Sequence, residues 1–215
     1  MTRLQENITF LVRQNSSLSG LLNDDPCISQ LEAFCEIAEV SLENLLQYNL
    51  SATNLPWDQI KFIFLDVDGV MTEGGMFYTE EGSEFKRFDT KDGMAIKEAM
   101  KHGIEFGIIS SGVNKAIIQH RADMFGIKHV YVGAEPKMSI AETWLADMAL
   151  DWDQIGYIGD DINDLKMFDK VEIAACPADA TNPIKAAASF VLEAKGGHGC
   201  VREFLRYLPA LKSIL

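Results

Sequence analysis

No apolar run in this 215-residue chain approaches the roughly 18 residues that a membrane-spanning helix needs. The opening MTRLQENITFLVRQN has neither an uninterrupted apolar stretch nor a small-residue cleavage site, so no export signal is read and a cytoplasmic location is expected. Cysteine is sparse. Cys27, Cys35, Cys176 and Cys200 form no CxxC pair, which argues against a zinc site or disulfide framework and for reduced, packed thiols. Positive charge is short as well, with 19 Lys and Arg against 32 Asp and Glu and a net charge of −13. Such a balance argues against nucleic-acid binding through a broad electrostatic face. A phosphorylated ligand would need a cation or local positive groups to approach it. There is no internal repeat and no low-complexity tract.

What is present is an ordinary globular composition, 47% apolar and 24% charged, long enough for one mid-sized domain and a small addition. Residues 1–55 read as helical throughout: Leu4, Ile8, Leu11 and Val12, then Leu31, Phe34, Cys35 and Ala38, then Leu42, Leu45 and Leu46, recur at helical spacing. Asn23-Asp24-Asp25-Pro26 signals a turn and a helix start, and residues 51–56 read as a linker. From residue 59 the rhythm changes. KFIFLDV (61–67), EFGIIS (105–110), HVYVG (129–133), QIGYIGD (154–160), EIAAC (172–176) and SFVLEA (189–194) alternate with amphipathic segments of helical length. Strands apolar on both faces, interleaved with helices, predict a doubly wound α/β domain with a parallel sheet over residues 59–215. Residues 74–89 read as a β-hairpin inserted after the first strand and turning at Glu80-Glu81-Gly82-Ser83.

Ligands of such sheets sit outside the carboxyl ends of the strands. There the first strand ends in Asp66-Val67-Asp68-Gly69-Val70, and the fourth in Gly159-Asp160-Asp161-Ile162-Asn163-Asp164. Helix capping accounts for Asp161 and Asp164 but not for Asp160, nor for five carboxylates at two strand ends. Clustered carboxylates repel, and a hard divalent cation such as Mg²⁺ compensates them. Ser110 ends another strand just before an expected helix start, where a hydroxyl suits a phosphate oxygen. Lys137 stands at the start of a further helix, where taken singly it would be a solvated surface lysine.

DVDGV, Ser110, Lys137 and GDDIND, in this order over about 100 residues, resemble the four motifs of the haloacid dehalogenase superfamily. DVDGVMTEGGMFY, KRFDTKDGMAI, YIGDDINDL and GGHGCVRE resemble its capless branch of 3-deoxy-D-manno-octulosonate 8-phosphate and nonulosonate 9-phosphate phosphatases, across residues 59–208. The resemblance implies a phosphatase of a small phosphorylated sugar acid, with a place in lipopolysaccharide or sialic acid synthesis. Asp66 would be the nucleophile and Asp68 the acid and base. Mg²⁺ would be held by Asp66, the backbone carbonyl of Asp68, and Asp160, with Asp161 and Asp164 orienting that shell. Ser110, Ser111 and Lys137 would hold the phosphate, and Gly112, Arg87 and His198 would meet the substrate. It also implies a homotetramer built by the hairpin and a mobile tail at Gly196–Gly199 reaching the substrate.

The family's Gly-Arg or Gly-Glu after the motif hydroxyl is here Ser111-Gly112-Val113-Asn114, and His198 replaces a tail arginine, so the sugar acid is left open. Arg87, Lys91, Arg121 and Arg202 are the candidate partners of a substrate carboxylate. ENITFLVRQN and ISQLEAFCEIAEVSLENLLQYNL resemble parts of repressor-type helix-turn-helix domains. About a dozen residues separate them, too few for a scanning and recognition helix pair. Residues 1–58 also hold two basic residues against eight acidic ones, a charge of −6. This reads as a degenerate module for packing or oligomerisation, with DNA binding disfavoured. The competing reading is a regulatory protein that senses a phosphorylated ligand and binds a partner or DNA through these helices.

Overall fold

The computed structural model describes residues 2–23 and 25–215, so Asp24 of the predicted turn lies outside the described residues. The chain divides into two compact units, Met1–Leu55 and Pro56–Leu215.

In the first unit Thr2 caps α1 (Arg3–Gln14) through a capping box with Gln5. Helix α2 (Ile28–Ala38) starts two residues beyond Pro26, followed by α3 (Leu42–Gln47) and α4 (Leu50–Thr53). The expected linker is therefore helical at its beginning. The Asn49 side chain accepts from the Ser51 and Ala52 amides, and Leu50 and Ala52 are buried, which closes a turn the composition did not announce. Leu11, Leu18, Leu31, Phe34, Cys35, Leu45 and Leu50 form the core. Through it runs one polar staple. Buried Asn7 donates to the Leu45 and Tyr48 carbonyls at 2.8 and 2.6 Å and accepts from the Leu50 amide at 2.9 Å. Those donors and acceptors belong to helix ends, whose backbone groups need partners.

The second unit is built on a six-stranded parallel sheet. Its strands are β1 (Phe62–Leu65), β4 (Glu105–Ser110), β5 (His129–Val132), β6 (Ile155–Ile158), β7 (Ile173–Cys176) and β8 (Phe190–Val191), in the order β5-β4-β1-β6-β7-β8. Helices α5 (Thr90–Lys101), α6 (Lys115–Phe125), α7 (Lys137–Met148), α8 (Leu165–Phe168), α9 (Asn182–Ala187) and α10 (Cys200–Leu205) follow or link them. All four β1 residues are buried, because Phe62 and Phe64 pack toward Ala141 and Leu145 of α7 while Ile63 faces Phe204 of α10. The apolar runs of the sequence are thus covered on both faces. From β1 the chain winds outward through β4 to β5, then returns to β6 on the other side of β1. That reversal opens a crevice at the carboxyl ends of these strands. Between β1 and α5 the hairpin β2 (Phe77–Tyr78) and β3 (Glu84–Phe85) pairs antiparallel, with the Phe77 and Phe85 rings stacked 5.3 Å apart and exposed. Ahead of β1, Trp57 packs against Phe190, Phe204 and Tyr207. All four cysteines are free, and no described helix is long and apolar enough to cross a membrane.

Asp92, in the first turn of α5, ties this helix to α10. It is 4% exposed, and its Oδ1 accepts from the Arg202 amide at 2.7 Å, capping a helix whose own cap, Gly199, has no side chain. Burial pushes this carboxyl up to about 6; Asp89 adds to the rise, while the Arg202 and Gly199 amides and the Arg121 guanidinium oppose it. The folded value exceeds the ordinary one, so the native protein holds the proton longer than the unfolded chain. Stability from this group is therefore full below about pH 4 and falls as pH rises through about 6, by about 3 kcal/mol at most. Asp92→Asn should remove that dependence. Urea titrations of both proteins at pH 4 and 7 should show their stability difference moving in the variant's favour with pH. A difference independent of pH would refute the assignment.

Candidate active site

Strand β1 ends at Leu65, and Asp66 continues it in extended conformation before residues 67–71 curl back, with the Thr72 amide bonded to the Val67 carbonyl. Gly69 makes this curl possible. Its φ is +87°, and a Cβ there would lie 2.0 Å from Asp160 Oδ2, so a larger residue is strained in its backbone and must push the Asp160 carboxylate aside. Asp66, Asp68, Ser110, Ser111, Gly112, Asp160, Asp161 and Asn163, with Gly74, line one crevice of about 340 Å³ at the carboxyl ends of β1, β4 and β6. This is within the size range of small-ligand sites.

Three carboxylates crowd together at its base, two of them lining it and Asp164 buried behind them. Asp66, Asp160 and Asp164 each offer an oxygen within 4.8 Å of the others. Asp66 is 5% exposed, and burial followed by Asp164's charge pushes its carboxyl up to about 6 against the pull of Lys137. Burial, then Asp66 and Asp164, push Asp160 up to about 8. Lys137 at the start of α7 is 4% exposed rather than solvated, with its ammonium 2.8 Å from Asp66 Oδ1 and 2.6 Å from Asp164 Oδ1. Burial works against that charge, but the two carboxylates outweigh it and hold the ammonium above its ordinary value. Asp164 is committed on every side. Its Oδ1 also accepts from the Tyr157 hydroxyl, and its Oδ2 accepts from the Asp160 and Asp161 amides at 2.9 and 3.3 Å. Asp164 thus shapes the 159–164 loop and orients Lys137, whereas Asp66 and Asp160 keep oxygens to offer. One ammonium against this trio leaves negative charge in excess. Hard oxygen donors with that excess suit a divalent cation such as Mg²⁺.

Ser110, 1% exposed, ends β4, and its Oγ accepts from the Gly112 amide at 3.0 Å. Helix α6 starts only at Lys115, so Ser110 does not stand at a helix N-terminus as the pattern suggested; the loop 111–114 intervenes. Ser111 and Asn163 meet across the crevice at 3.4 Å. Exposed Asp161 caps the turn 162–164 through the Ile162 amide at 2.8 Å.

Arg87 and His198 do not line the crevice. They meet each other at 3.1 Å, and Arg87 also reaches Glu73 at 3.3 Å and the Gly197 carbonyl at 3.4 Å. The Gly196–Gly199 segment is seated on the β1 loop. The Gly197 amide donates to the Val70 carbonyl at 2.8 Å, and a Cβ on Gly196 would lie 1.9 Å from the Gly69 carbonyl oxygen. Arg121 is spent on the Phe88 and Phe125 rings and the Asp89 carbonyl, and Arg202 donates to the Leu215 carbonyl. Lys91 is exposed at the start of α5. None of these three lines the crevice.

Sequence reasoning missed Lys86, Glu84, Tyr157 and Asn163. Lys86 follows β3, its side chain 2% exposed, and donates to Asp68 Oδ1 at 2.6 Å while pairing with Glu84 at 2.7 Å. Strand alternation puts Glu84 and Lys86 on one side of the hairpin, yet nothing local says that this side turns toward Asp68.

The chain is similar to proteins of known family. Residues 135–204 match the model of the haloacid dehalogenase-like hydrolase family. The 3-deoxy-D-manno-octulosonate 8-phosphate phosphatase KdsC of Escherichia coli K12 is 33% identical over 146 residues, 68% of this chain and 77% of that protein. The crystal structure of the Yersinia pestis octulosonate phosphatase superimposes with a TM-score of 0.69 at 32% identity, covering 73% of this chain and 83% of that one. The Moraxella catarrhalis octulosonate phosphatase, solved with magnesium, phosphate and the sugar acid, gives 0.70 at 25% identity over 80% of this chain and 93% of that one. The chain belongs to the haloacid dehalogenase superfamily as a phosphatase of the octulosonate 8-phosphate phosphatase family.

Proposed function

We propose that this phosphatase hydrolyses the phosphate monoester of a small sugar acid, of the octulosonate 8-phosphate or nonulosonate 9-phosphate type, with Mg²⁺ as cofactor. The observation that carries the reading is the convergence of Asp66, Asp68, Ser110 and Asp160 on one crevice, with buried Lys137 bridging Asp66 and Asp164. Lys137 engages Oδ1 of Asp66 and leaves the second oxygen to attack phosphorus. An Asp66 oxygen–phosphorus bond forms as the bond to the sugar oxygen breaks, and Asp68 gives that oxygen its proton. Water then attacks the aspartyl-phosphate, Asp68 takes the water's proton, and Asp66 leaves as carboxylate. Ser110, Ser111 and Lys137 hold the phosphate oxygens as charge redistributes. Asp66, the Asp68 carbonyl and Asp160 are the residues to hold Mg²⁺, which supplies positive charge to bring two anions together.

Gly112 lies beside the phosphate loop and is assigned a substrate contact. Arg87 and His198, paired outside the crevice, are assigned to the distal carboxylate of the sugar acid. The exposed Phe77 and Phe85 stack supports a homotetramer joined through the hairpin, and the acidic helical unit is assigned to packing or oligomerisation rather than to DNA. Four free thiols suit the cytoplasm.

The test is phosphate release from a panel of phosphorylated sugar acids and simple sugar phosphates, with Mg²⁺, with chelator, and with Asp66→Asn. Release that requires the cation and Asp66 supports the reading, and the best substrate names the sugar. Absence of turnover from wild type across the panel would end it. Gly69→Ala probes the cation separately. By driving a methyl into Asp160 it should raise the Mg²⁺ concentration at half-maximal activity by about 10–100-fold. An unchanged half-saturation would remove Asp160 from the cation site.

A further inference from the structure

The two oxygens of Asp68 have different surroundings. Oδ1 accepts from the Lys86 ammonium at 2.6 Å. Oδ2 points the other way, 3.6 Å from where a Cβ on Gly112 would sit, toward the loop 111–114 that follows Ser110. Lys86 is itself held, its side chain 2% exposed and its ammonium also 2.7 Å from Glu84 Oε1, whose side chain is 5% exposed. Both anchors belong to the hairpin, not to the sheet that carries the other site residues.

We propose that Lys86 is a positioning residue that assigns the two oxygens of Asp68 their roles, reserving Oδ2 for proton transfer. An ammonium has donors and no acceptor, and the carbonyl-type oxygen of a carboxylic acid accepts better than its hydroxyl oxygen, so Oδ1 serves Lys86 as the acceptor and the proton is favoured on Oδ2. The proton of Asp68 is therefore biased to Oδ2, the oxygen on the Gly112 side. In the first step it passes from Oδ2 to the sugar oxygen as the phosphorus–sugar oxygen bond breaks and the Asp66–phosphorus bond forms. In the second, a water proton passes to Oδ2 as the water oxygen–phosphorus bond forms and the Asp66–phosphorus bond breaks. Without Lys86 the carboxyl turns freely about its last bond, and the proton is shared between a productive and an unproductive position. Glu84 keeps the ammonium from wandering, so the orientation is set before substrate arrives, which is where preorganised groups gain their advantage. The inference rests on the phosphatase reading and on Asp68 as its acid and base.

Leaving groups separate positioning from mere structural support. A sugar alkoxide needs a proton to depart; 4-nitrophenolate does not. In the full chain with Mg²⁺, Lys86→Met should lower kcat for the best sugar phosphate by about 10²-fold, the size of a lost acid–base contribution. KM should stay within about threefold. The first burst of nitrophenolate from 4-nitrophenyl phosphate should slow less than about threefold, and Asp68→Asn should show the same split. Equal losses on both esters, or none on either, would overturn the proposal. Lys86→Met/Glu84→Gln removes the carboxylate that the single variant strands, and it should reproduce the split if the single variant folds poorly. Failure of the phosphatase reading looks different, since wild type itself would then show no release that depends on Asp66.

Discussion

Asp66→Asn is expected to abolish phosphate release, lowering kcat by at least about 10⁴-fold, because the amide cannot attack phosphorus. The side chain keeps its size, so crevice shape and β1 are undisturbed. The variant should also denature at the same temperature as wild type or higher when both are held in chelator. Asp66 is a buried carboxylate crowded by Asp160 and Asp164, and its burial outweighs the attraction of Lys137. Removing it relieves repulsion that the fold tolerates for chemistry. Rapid quench with labelled substrate should find phosphate bound to the wild-type enzyme and none to the variant. Residual turnover within about tenfold of wild type would mean that another group attacks.

Lys137→Met should damage stability and rate together. Its ammonium bridges Asp66 and Asp164, and Asp164 has no exposed surface at all. Removing one partner of a buried pair strands the other, at a cost of about 3–5 kcal/mol. Loss of the same charge from the phosphate site should lower kcat by about 10²–10³-fold. Asp164→Asn added to Lys137→Met should recover part of the stability, because it removes the stranded charge, and none of the rate. Chemical denaturation of the four proteins of this cycle gives the coupling directly. If the two substitutions simply added, the ion pair would carry no coupling and the assignment would fall.

The local pattern of apolar residues was enough to place the strands. All six runs contain one, and the hairpin lies where β-rich segments flank Gly82. A strand buried on both faces leaves a contiguous apolar run, which survives translation into sequence. The acidic clusters around Asp66 and Asp160 were legible because capping a helix does not account for five carboxylates gathered at two strand ends. Boundaries were less secure. Residues 51–53 wind into α4 because Asn49 caps them and Leu50 and Ala52 find a core, neither of which composition records. Ser110 stands five residues before α6 because the loop 111–114 takes up the turn that a helix start would have made.

The sequence by itself determined the α/β class, the parallel sheet, and the strand ends where carboxylates gather. Each of these follows from spacing within a few residues. Only the tertiary structure decided which charges meet. Lys137 has the local context of a solvated helix start, yet it is buried because β5 delivers α7 beside β1 and β6. Lys86 lies 18 residues from Asp68 and becomes its partner only when the hairpin folds back over the site. Arg87 and His198, 111 residues apart, pair with each other rather than across the crevice. Periodicity reports the face on which a side chain lies, whereas the identity of its partner depends on strand order and on how loops close over long separations.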